Sequence, residues 1–387
     1  MYLINAHILT MAGQNIKNGY VEIEDKTIKS VGDMKDFAGG EVIDLGGKYI
    51  MPGMIDAHTH LGMCEDGVGF EGEDINECTE PITPHLRAMD SVNPIDRTIT
   101  EAREAGVTCV VVCPGSANPI GGQVCAFKTQ GRRLEDMIIA EPMAIKLAFG
   151  ENPKRVYGDK ERTPMSRMAS IALIREMLIK TQRYMQAIEN AEEPEDEPEF
   201  DFRCDALMPL LRREIPAHIH AHRAFDILAA IRLAKEFNFD YLLVHATEGH
   251  LIADILAEEG AKVVCGPIIG TRSKPELSQM EVRNAAVLIE HGIEAAICTD
   301  HPEVPENYLL SSMAIAAAEG ISDDNGLLTV TLWAAKAVGL ENRVGSIEVG
   351  KDADLLVFEE HPLRTYRKPE LVFINGVQVA GALPAKR

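Results

Sequence analysis

The sequence is short of basic residues, paired cysteines and long apolar segments. Its 387 residues include 38 Lys and Arg against 60 Asp and Glu, so the formal net charge is −22 at pH 7. Nucleic acids and anionic membrane surfaces bind clustered Lys and Arg, so this charge balance argues against both as partners. No apolar stretch approaches the roughly 18–20 residues that cross a bilayer.

The eight cysteines are scattered and form no Cys-x-x-Cys pair. Several of them, such as Cys109 and Cys265, lie within apolar runs, where a small core residue is expected. Residues 1–7 lack the basic segment and following apolar run of a secretory signal. These features together predict a cytoplasmic location.

Short apolar segments separated by turn residues occupy both ends of the chain. The candidate strands before residue 50 are 3–10, 20–24, 27–31 and 41–45, and those after residue 345 are 346–349, 354–358 and 371–374. Asn375-Gly376 is a hairpin signal that follows the last of them. The pattern predicts a small β-sandwich domain built from residues 1–51 and 346–387, around a central domain of residues 52–345.

The central domain alternates between strand-like and helix-like segments. The candidate strands are 50–55, 107–113, 144–149, 216–220, 241–245, 261–265 and 293–298. The candidate helices are 94–105, 167–190, 224–237, 248–259 and 280–291. Such alternation is typical of parallel strands with right-handed crossovers, and the central domain has room for about eight units. We therefore predict an α/β fold, a (β/α)₈ TIM barrel.

Histidines follow several of these strands. His58 and His60 project from one face of the first strand because side chains alternate along a strand. An isolated His-x-His pair is more often two ordinary surface histidines. Here further candidates follow three other strands: His218, His220 and His222 on the fifth, His245 on the sixth, and Asp300 and His301 after the eighth.

Catalytic groups of such barrels lie at the carboxyl ends of the strands, so these side chains are expected to meet at one mouth. Several imidazoles with one carboxylate suit zinc, or less specifically another divalent transition metal. The sequence therefore predicts a metal centre there.

Residues 52–60 read Pro-Gly-Met-Ile-Asp-Ala-His-Thr-His, and Val244-His245-Ala246 and Thr299-Asp300 follow later in the chain. Together these motifs resemble the amidohydrolase superfamily, especially its imidazolonepropionase-like and dipeptidase-like branches. The resemblance covers essentially the whole chain. It is specific for the superfamily but poorly specific for the substrate.

The resemblance implies that one or two zinc ions are bound by five residues: His58, His60, His220, His245 and Asp300. It favours His220 over His222 as the fifth-strand ligand, although His222 on the same face stays an alternative. In two-metal members a carboxylated lysine on the fourth strand bridges the metals. Lys146 lies at a matching place, and the alternative is a lysine at the rim that extends into solvent.

One position departs from the family pattern. Deaminase-like and imidazolone-cleaving members usually carry a glutamate shortly after the fifth-strand histidine, where this chain has Arg223. This difference argues against deamination, and Arg223 suits either a substrate carboxylate or an ion pair at a helix start. The other candidates for substrate binding are His222, Gln123 in the glycine-rich segment 114–123, and Arg272 with its neighbour Lys274; simple solvation is the alternative for the last two.

The resemblance implies that a metal-activated hydroxide hydrolyses a carbon–nitrogen bond in an amide, cyclic amide or peptide-like small molecule. Asp300 would carry the proton to the leaving nitrogen, and His245 would bind a second metal or donate to the carbonyl oxygen. The alternatives are a two-metal dipeptidase with carboxylated Lys146, an ester or lactone hydrolase, and a metal-free scaffold protein. A homo-oligomer is compatible with all of them.

Overall fold

The computed structural model describes residues 1–364 and 367–382, which form two eight-stranded sheets and eleven α-helices. The strands are β1 Tyr2–Ile8, β2 Ile16–Glu24, β3 Thr27–Asp33, β4 Val42–Asp44, β5 Tyr49–Pro52, β6 Met54–Thr59, β7 Val107–Val112, β8 Ile120–Lys128, β9 Ile138–Ala148, β10 Ala217–Ala221, β11 Tyr241–His245, β12 Lys262–Cys265, β13 Ala296–Ile297, β14 Leu355–Phe358, β15 Leu371–Ile374 and β16 Val377–Gly381. The helices are α1 Arg97–Glu104, α2 Leu134–Met137, α3 Glu151–Gly158, α4 Arg167–Asn190, α5 Phe202–Leu211, α6 Ala224–Phe237, α7 Ala253–Glu258, α8 Asn284–Glu290, α9 Leu309–Ala317, α10 Asp323–Thr329 and α11 Leu332–Ala337.

Strands from both ends of the chain form the first sheet, in the order β16-β15-β14-β5-β1-β2-β3, with β4 paired to β1. Antiparallel pairing of β14 with β5 joins the two ends. The turn between β15 and β16 contains Asn375 and Gly376 at φ 50° and 74°, so the predicted hairpin is confirmed. The predicted strand at 346–349 is wrong, because this segment is irregular and turns.

The domain limits and the finer description as a β-sandwich stay predictions. Residues 383–387 of the predicted terminal domain lie outside the described residues.

The second sheet is a nearly closed barrel in the order β13-β12-β11-β10-β9-β8-β7-β6. Its edges meet where the His60 backbone N–H donates to the His301 carbonyl at 3.0 Å. Buried aliphatic residues such as Val110, Ile219 and Leu243 fill the layers around the strands. The predicted mixed α/β fold with a barrel is thus confirmed.

One barrel strand runs against the predicted direction. β8 pairs antiparallel with both β7 and β9. Only residues 113–119 connect β7 to β8, and a parallel crossover needs a dozen or more residues. The expected loop at 114–123 therefore ends inside a strand. A Cβ atom on Gly122 would lie 2.5 Å from the Leu86 carbonyl oxygen, so this close approach needs glycine.

The other predicted helices and strands differ from the structure mainly in where they begin and end. The predicted helix at 167–190 coincides with α4, whereas β9 begins six residues before the predicted 144 and β13 shrinks to Ala296–Ile297. Among the described residues, no helix combines the length and apolar character that crossing a membrane requires.

A buried lysine links the two sheets. Lys128, at the end of β8, forms ion pairs with Asp354 and with Asp352, the second at 3.0 Å. Burial alone would lower the pKa of Lys128, but the charge of Asp354 raises it above its usual value. The ammonium group is therefore charged in the folded protein and depends on these carboxylates.

Replacing Lys128 with Met is expected to lower the free energy of unfolding by about 3–5 kcal/mol, because the buried carboxylate of Asp354 loses its counter-ion. Urea unfolding followed by circular dichroism measures the change. Lys235→Met, which removes an exposed ion pair with Glu259, is the control and should change stability by no more than about 1 kcal/mol. Equal effects of the two substitutions would contradict the assigned role of Lys128.

Candidate metal centre and active site

The carboxyl ends of the barrel strands surround a cavity of about 690 Å³. β6, β9, β10 and β11 and the segment after β13 each place side chains in its wall. Eight of the predicted site residues line it: His58, His60, Lys146, His220, His222, His245, Lys274 and Asp300. The structure therefore brings together groups that are about 240 residues apart in the chain.

The first group of donors consists of His58, His60 and Asp300. Asp300 Oδ1 lies 3.3 Å from His58 Nε2 and 3.4 Å from His60 Nε2. Donor atoms about 2.0–2.2 Å from a tetrahedral metal lie about 3.3–3.6 Å from one another, so the spacing fits one ion. His60 Nδ1 donates to the Cys113 carbonyl at 2.7 Å, which leaves Nε2 free as a donor to a cation.

The second group consists of His220, His222 and His245, whose ring centroids lie 4.5–4.6 Å apart. His245 Nδ1 donates to the Gly266 carbonyl at 2.7 Å, and His222 Nδ1 hydrogen-bonds with Thr247 Oγ1 at 2.7 Å. His222 Nε2 is buried and has no hydrogen-bond partner among the described residues. Such an orphaned nitrogen beside two further imidazoles fits a bound cation.

Backbone strain accompanies both groups. His245, Ala246 and Asp300 have φ angles of 71°, 42° and 55°, in the left-handed region that residues other than glycine seldom adopt. Such conformations are held by their surroundings and concentrate at functional sites. The strain sets the direction in which His245 and Asp300 enter the cavity.

Burial sets the charge of these groups. It lowers the pKa of His58, His220 and His222 well below the usual value and that of His245 to about 4. The four imidazoles are therefore neutral at pH 7 and can coordinate a metal. Burial alone would raise the pKa of Asp300, but its electrostatic interaction with His245 and its close contacts with His58 and His60 hold it well below its usual range.

Lys146 lies within β9 and has no exposed surface, so the alternative of a lysine at the rim is wrong. Its Nζ lies 3.3 Å from His58 Nε2. Burial lowers the pKa of Lys146, which favours the neutral amine over the ammonium form.

Two carboxyl groups that the sequence analysis missed support the first donor group. Asp56 accepts hydrogen bonds from the backbone N–H groups of His58 and Thr299, at 3.0 and 2.8 Å. Glu306 accepts one from Thr59 Oγ1 at 2.7 Å. They tie β6 to the segment after β13. The signal for Asp56 is its position two residues before His58, on the same face of the strand.

Three predicted substrate-binding residues do not line the cavity. Gln123 lies within β8, where its backbone N–H donates to the Leu86 carbonyl. Arg223 forms an ion pair with Glu248 at 3.3 Å, which is the alternative considered from the sequence. Arg272 donates to the Met280 carbonyl and is exposed.

Other polar side chains line the cavity instead. Lys274, the neighbour of Arg272, is among them, as are Asn152 and Arg155 of α3. Glu276, two residues beyond Lys274, is buried, with Oε1 lying 3.6 Å from His222 Nε2. Burial opposes its ionisation, but electrostatic interactions with His222 and with the Lys274 ammonium group lower the pKa of its carboxyl. No periodic pattern in the sequence marks the segment that carries Glu276.

The neutral histidines make the metal-free protein sensitive to acid. An unfolded chain protonates His245 near pH 6.5, but the folded chain does so only near pH 4, so stability is lost as pH falls between these values. Urea unfolding with a chelator present, from about pH 6.5 to about pH 4.5, measures the loss. His245→Gln should lose less over this range than the wild type, and equal losses would contradict the shift.

Comparisons with known proteins agree on one family. The family model described as "Amidohydrolase family" matches residues 49–381. A crystal structure of an amidohydrolase from Thermotoga maritima MSB8 superposes with a TM-score of 0.95 at 40% identity, covering 98% of this chain and 100% of that one. A prolidase complexed with N-methylphosphonate-L-proline has a TM-score of 0.64 at 17% identity, covering 98% and 99%, which is a similarity of fold alone.

Two curated relatives carry functional names. Amidohydrolase tasK of Hapsidospora irregularis is 28% identical over 87% of this chain, which spans only 37% of the length of that protein. A 5-methylthioadenosine/S-adenosylhomocysteine deaminase of Bacillus cereus is 25% identical over 92% of this chain and 84% of its own length. The chain belongs to the amidohydrolase family, whose members generally depend on divalent metals, and it is a hydrolytic enzyme that acts on carbon–nitrogen bonds.

Proposed function

We propose that the protein is a metal-dependent hydrolase of small amides, cyclic amides or peptide-like molecules, with zinc or another divalent transition metal at the barrel mouth. The observation that carries this proposal is the meeting of His58, His60 and Asp300, with Asp300 Oδ1 3.3–3.4 Å from the Nε2 atom of each histidine. Neutral imidazoles with one ionised carboxylate form a donor set typical of catalytic zinc. The intact donor sets argue against a metal-free scaffold protein.

A divalent cation in this position lowers the pKa of water toward neutrality and polarises a carbonyl group. Asp300 is the proton carrier that we propose. Its carboxylate is ionised, so it can accept a proton from water and pass it to the leaving nitrogen. Asp56 and Thr299 hold the segment that carries Asp300, which keeps the carboxylate beside the histidines.

His245 serves as a ligand in this proposal, and not as a donor to the substrate. Its Nδ1 proton is used in the hydrogen bond to the Gly266 carbonyl, so a neutral ring presents an acceptor at Nε2. Donation from both nitrogens would require the imidazolium form, and the pKa of His245 is about 4. The geometry therefore favours a second cation near His220, His222 and His245.

The cavity volume is within the range of small-molecule sites. Arg155 lines the cavity, and its guanidinium group forms no hydrogen bond or ion pair with another described residue. A free guanidinium group at this position suits an acidic group of the substrate. An ester or lactone would use the same residues, but no contact in the cavity favours either of them.

Asp300→Asn should lower kcat by at least about a hundredfold, because the amide cannot accept the proton. Hydrolysis of a library of N-acyl amino acids and cyclic amides gives the rate, and elemental analysis verifies that metal content is retained. Glu290→Gln, on the exposed surface of α8, is the control. An Asp300→Asn protein with full metal and wild-type turnover would refute the assignment.

A two-metal dipeptidase with carboxylated Lys146 is the second candidate. Full burial, a lowered pKa and the 3.3 Å approach to His58 Nε2 favour it. A neutral amine can react with CO₂ to form a carbamate, and a carbamate would supply the anionic charge that a second cation needs. Lys146 lies on β9, next to the strand β10 that carries His220.

Lys146→Ala should lower the metal content from near two ions per chain to one or fewer, because the bridging group is lost. Elemental analysis after desalting measures the content, with bicarbonate in all buffers. Added acetate or propionate should restore part of the activity by supplying a carboxylate in the space that the lysine leaves. Two ions per chain in Lys146→Ala would rule out the bridging role.

A further inference from the structure

The loop between β12 and α8 brings a carboxylate to the second group of histidines. Glu276 is 1% exposed, and its Oε1 lies 3.6 Å from His222 Nε2 and 3.8 Å from His220 Nε2. These distances are too long for hydrogen bonds. They are close to the separation of two donor atoms that bind the same tetrahedral cation.

The two facing atoms are incompletely satisfied. Glu276 Oε1 and His222 Nε2 are both buried. His222 Nε2 has no hydrogen-bond partner among the described residues, and Glu276 Oε1 faces only the ammonium group of Lys274. Leaving buried polar atoms unpaired costs free energy, and native proteins usually satisfy them. A cation between the two atoms would satisfy both at once.

The rest of the Glu276 carboxylate is fixed. Its Oε2 accepts from the Glu151 N–H at 3.0 Å, while the Glu276 N–H donates to Glu151 Oε2 at 3.1 Å. A Cβ atom on Gly150, at φ 94°, would lie 3.0 Å from Glu276 Oε2, so glycine leaves room for the side chain. These contacts direct Oε1 toward the histidines.

Lys274 is the counter-ion of Glu276 in the structure. Its Nζ lies 2.8 Å from Glu276 Oε1 and 3.3 Å from Asn152 Oδ1. The ammonium group and a metal ion would therefore compete for the same carboxylate oxygen. The side chain is partly exposed, so it can move away into the cavity or solvent.

We infer that Glu276 is the oxygen donor of a cation site completed by His220, His222 and His245, and that Lys274 neutralises Glu276 when no cation is bound. The inference rests on the metal dependence proposed above. Three imidazoles and one carboxylate suit Zn²⁺ and similar divalent transition metals. Neither the loop nor its glutamate is part of the ligand set that the sequence implies.

Titration of the metal-free full-length protein with Co²⁺, followed by visible absorption, tests the inference without using catalysis. Glu276→Gln should raise the Kd of one binding step at least about tenfold, because an anionic donor is lost. His222→Gln identifies that step, since it should weaken the same one. Lys274→Met should lower the Kd, because a competing positive charge is removed.

Glu151→Gln is the matched control. It removes a negative charge but keeps a side-chain oxygen that accepts from the Glu276 N–H, so Glu276 still faces the histidines and the Kd should stay near the wild-type value. Glu276→Asp retains the carboxylate and should bind Co²⁺ more tightly than Glu276→Gln. Circular dichroism and thermal unfolding verify that each variant is folded.

The outcomes separate this inference from the proposed function. A purely structural ion pair predicts that Glu276→Gln and Lys274→Met weaken binding alike, and that result would overturn the inference. Wild-type affinity in Glu276→Gln would also overturn it, while leaving the proposed function intact. A wild-type protein that binds no Co²⁺ and no Zn²⁺ would overturn both.

Discussion

The structure depends on the burial of neutral imidazoles around an ionised carboxylate at one end of the barrel. Removal from water lowers the pKa of His58, His220, His222 and His245, while Asp300 keeps its charge beside them. Two unprotonated ring nitrogens that face each other cannot form a hydrogen bond, so this contact contributes no stability. A divalent cation is the partner that would stabilise the whole arrangement, which makes the site chemically specific before any substrate enters.

The scaffold holds these atoms through contacts that are not themselves catalytic. Asp56 connects the first and last barrel strands through backbone N–H groups, so the two halves of the first donor group keep their separation. The reversed strand β8 carries no residue of either donor group, so its direction does not alter the arrangement of these donors. A buried ion pair between Lys128 and Asp354 connects the barrel to the terminal sheet.

Proteins with different functional names share this family or this fold. The similar proteins include one named as a deaminase and a structure described as a prolidase. The barrel fold therefore does not determine the substrate. Substrate selectivity depends on the residues around the cavity. In this chain Arg155 of α3 and Lys274, in the segment after β12, are positively charged residues of the cavity wall.

By itself the sequence determined the alternation of strands and helices, the Asn375-Gly376 turn and the shared face of His58 and His60, because all of these follow from local spacing. Only the tertiary structure decided that Lys146 is buried, that His222 stands beside His220 and His245, that Arg223 turns to Glu248 and that β8 runs antiparallel. These outcomes depend on contacts between segments far apart in the chain. Periodicity assigns a side chain to a face, but distant neighbours decide what that face meets.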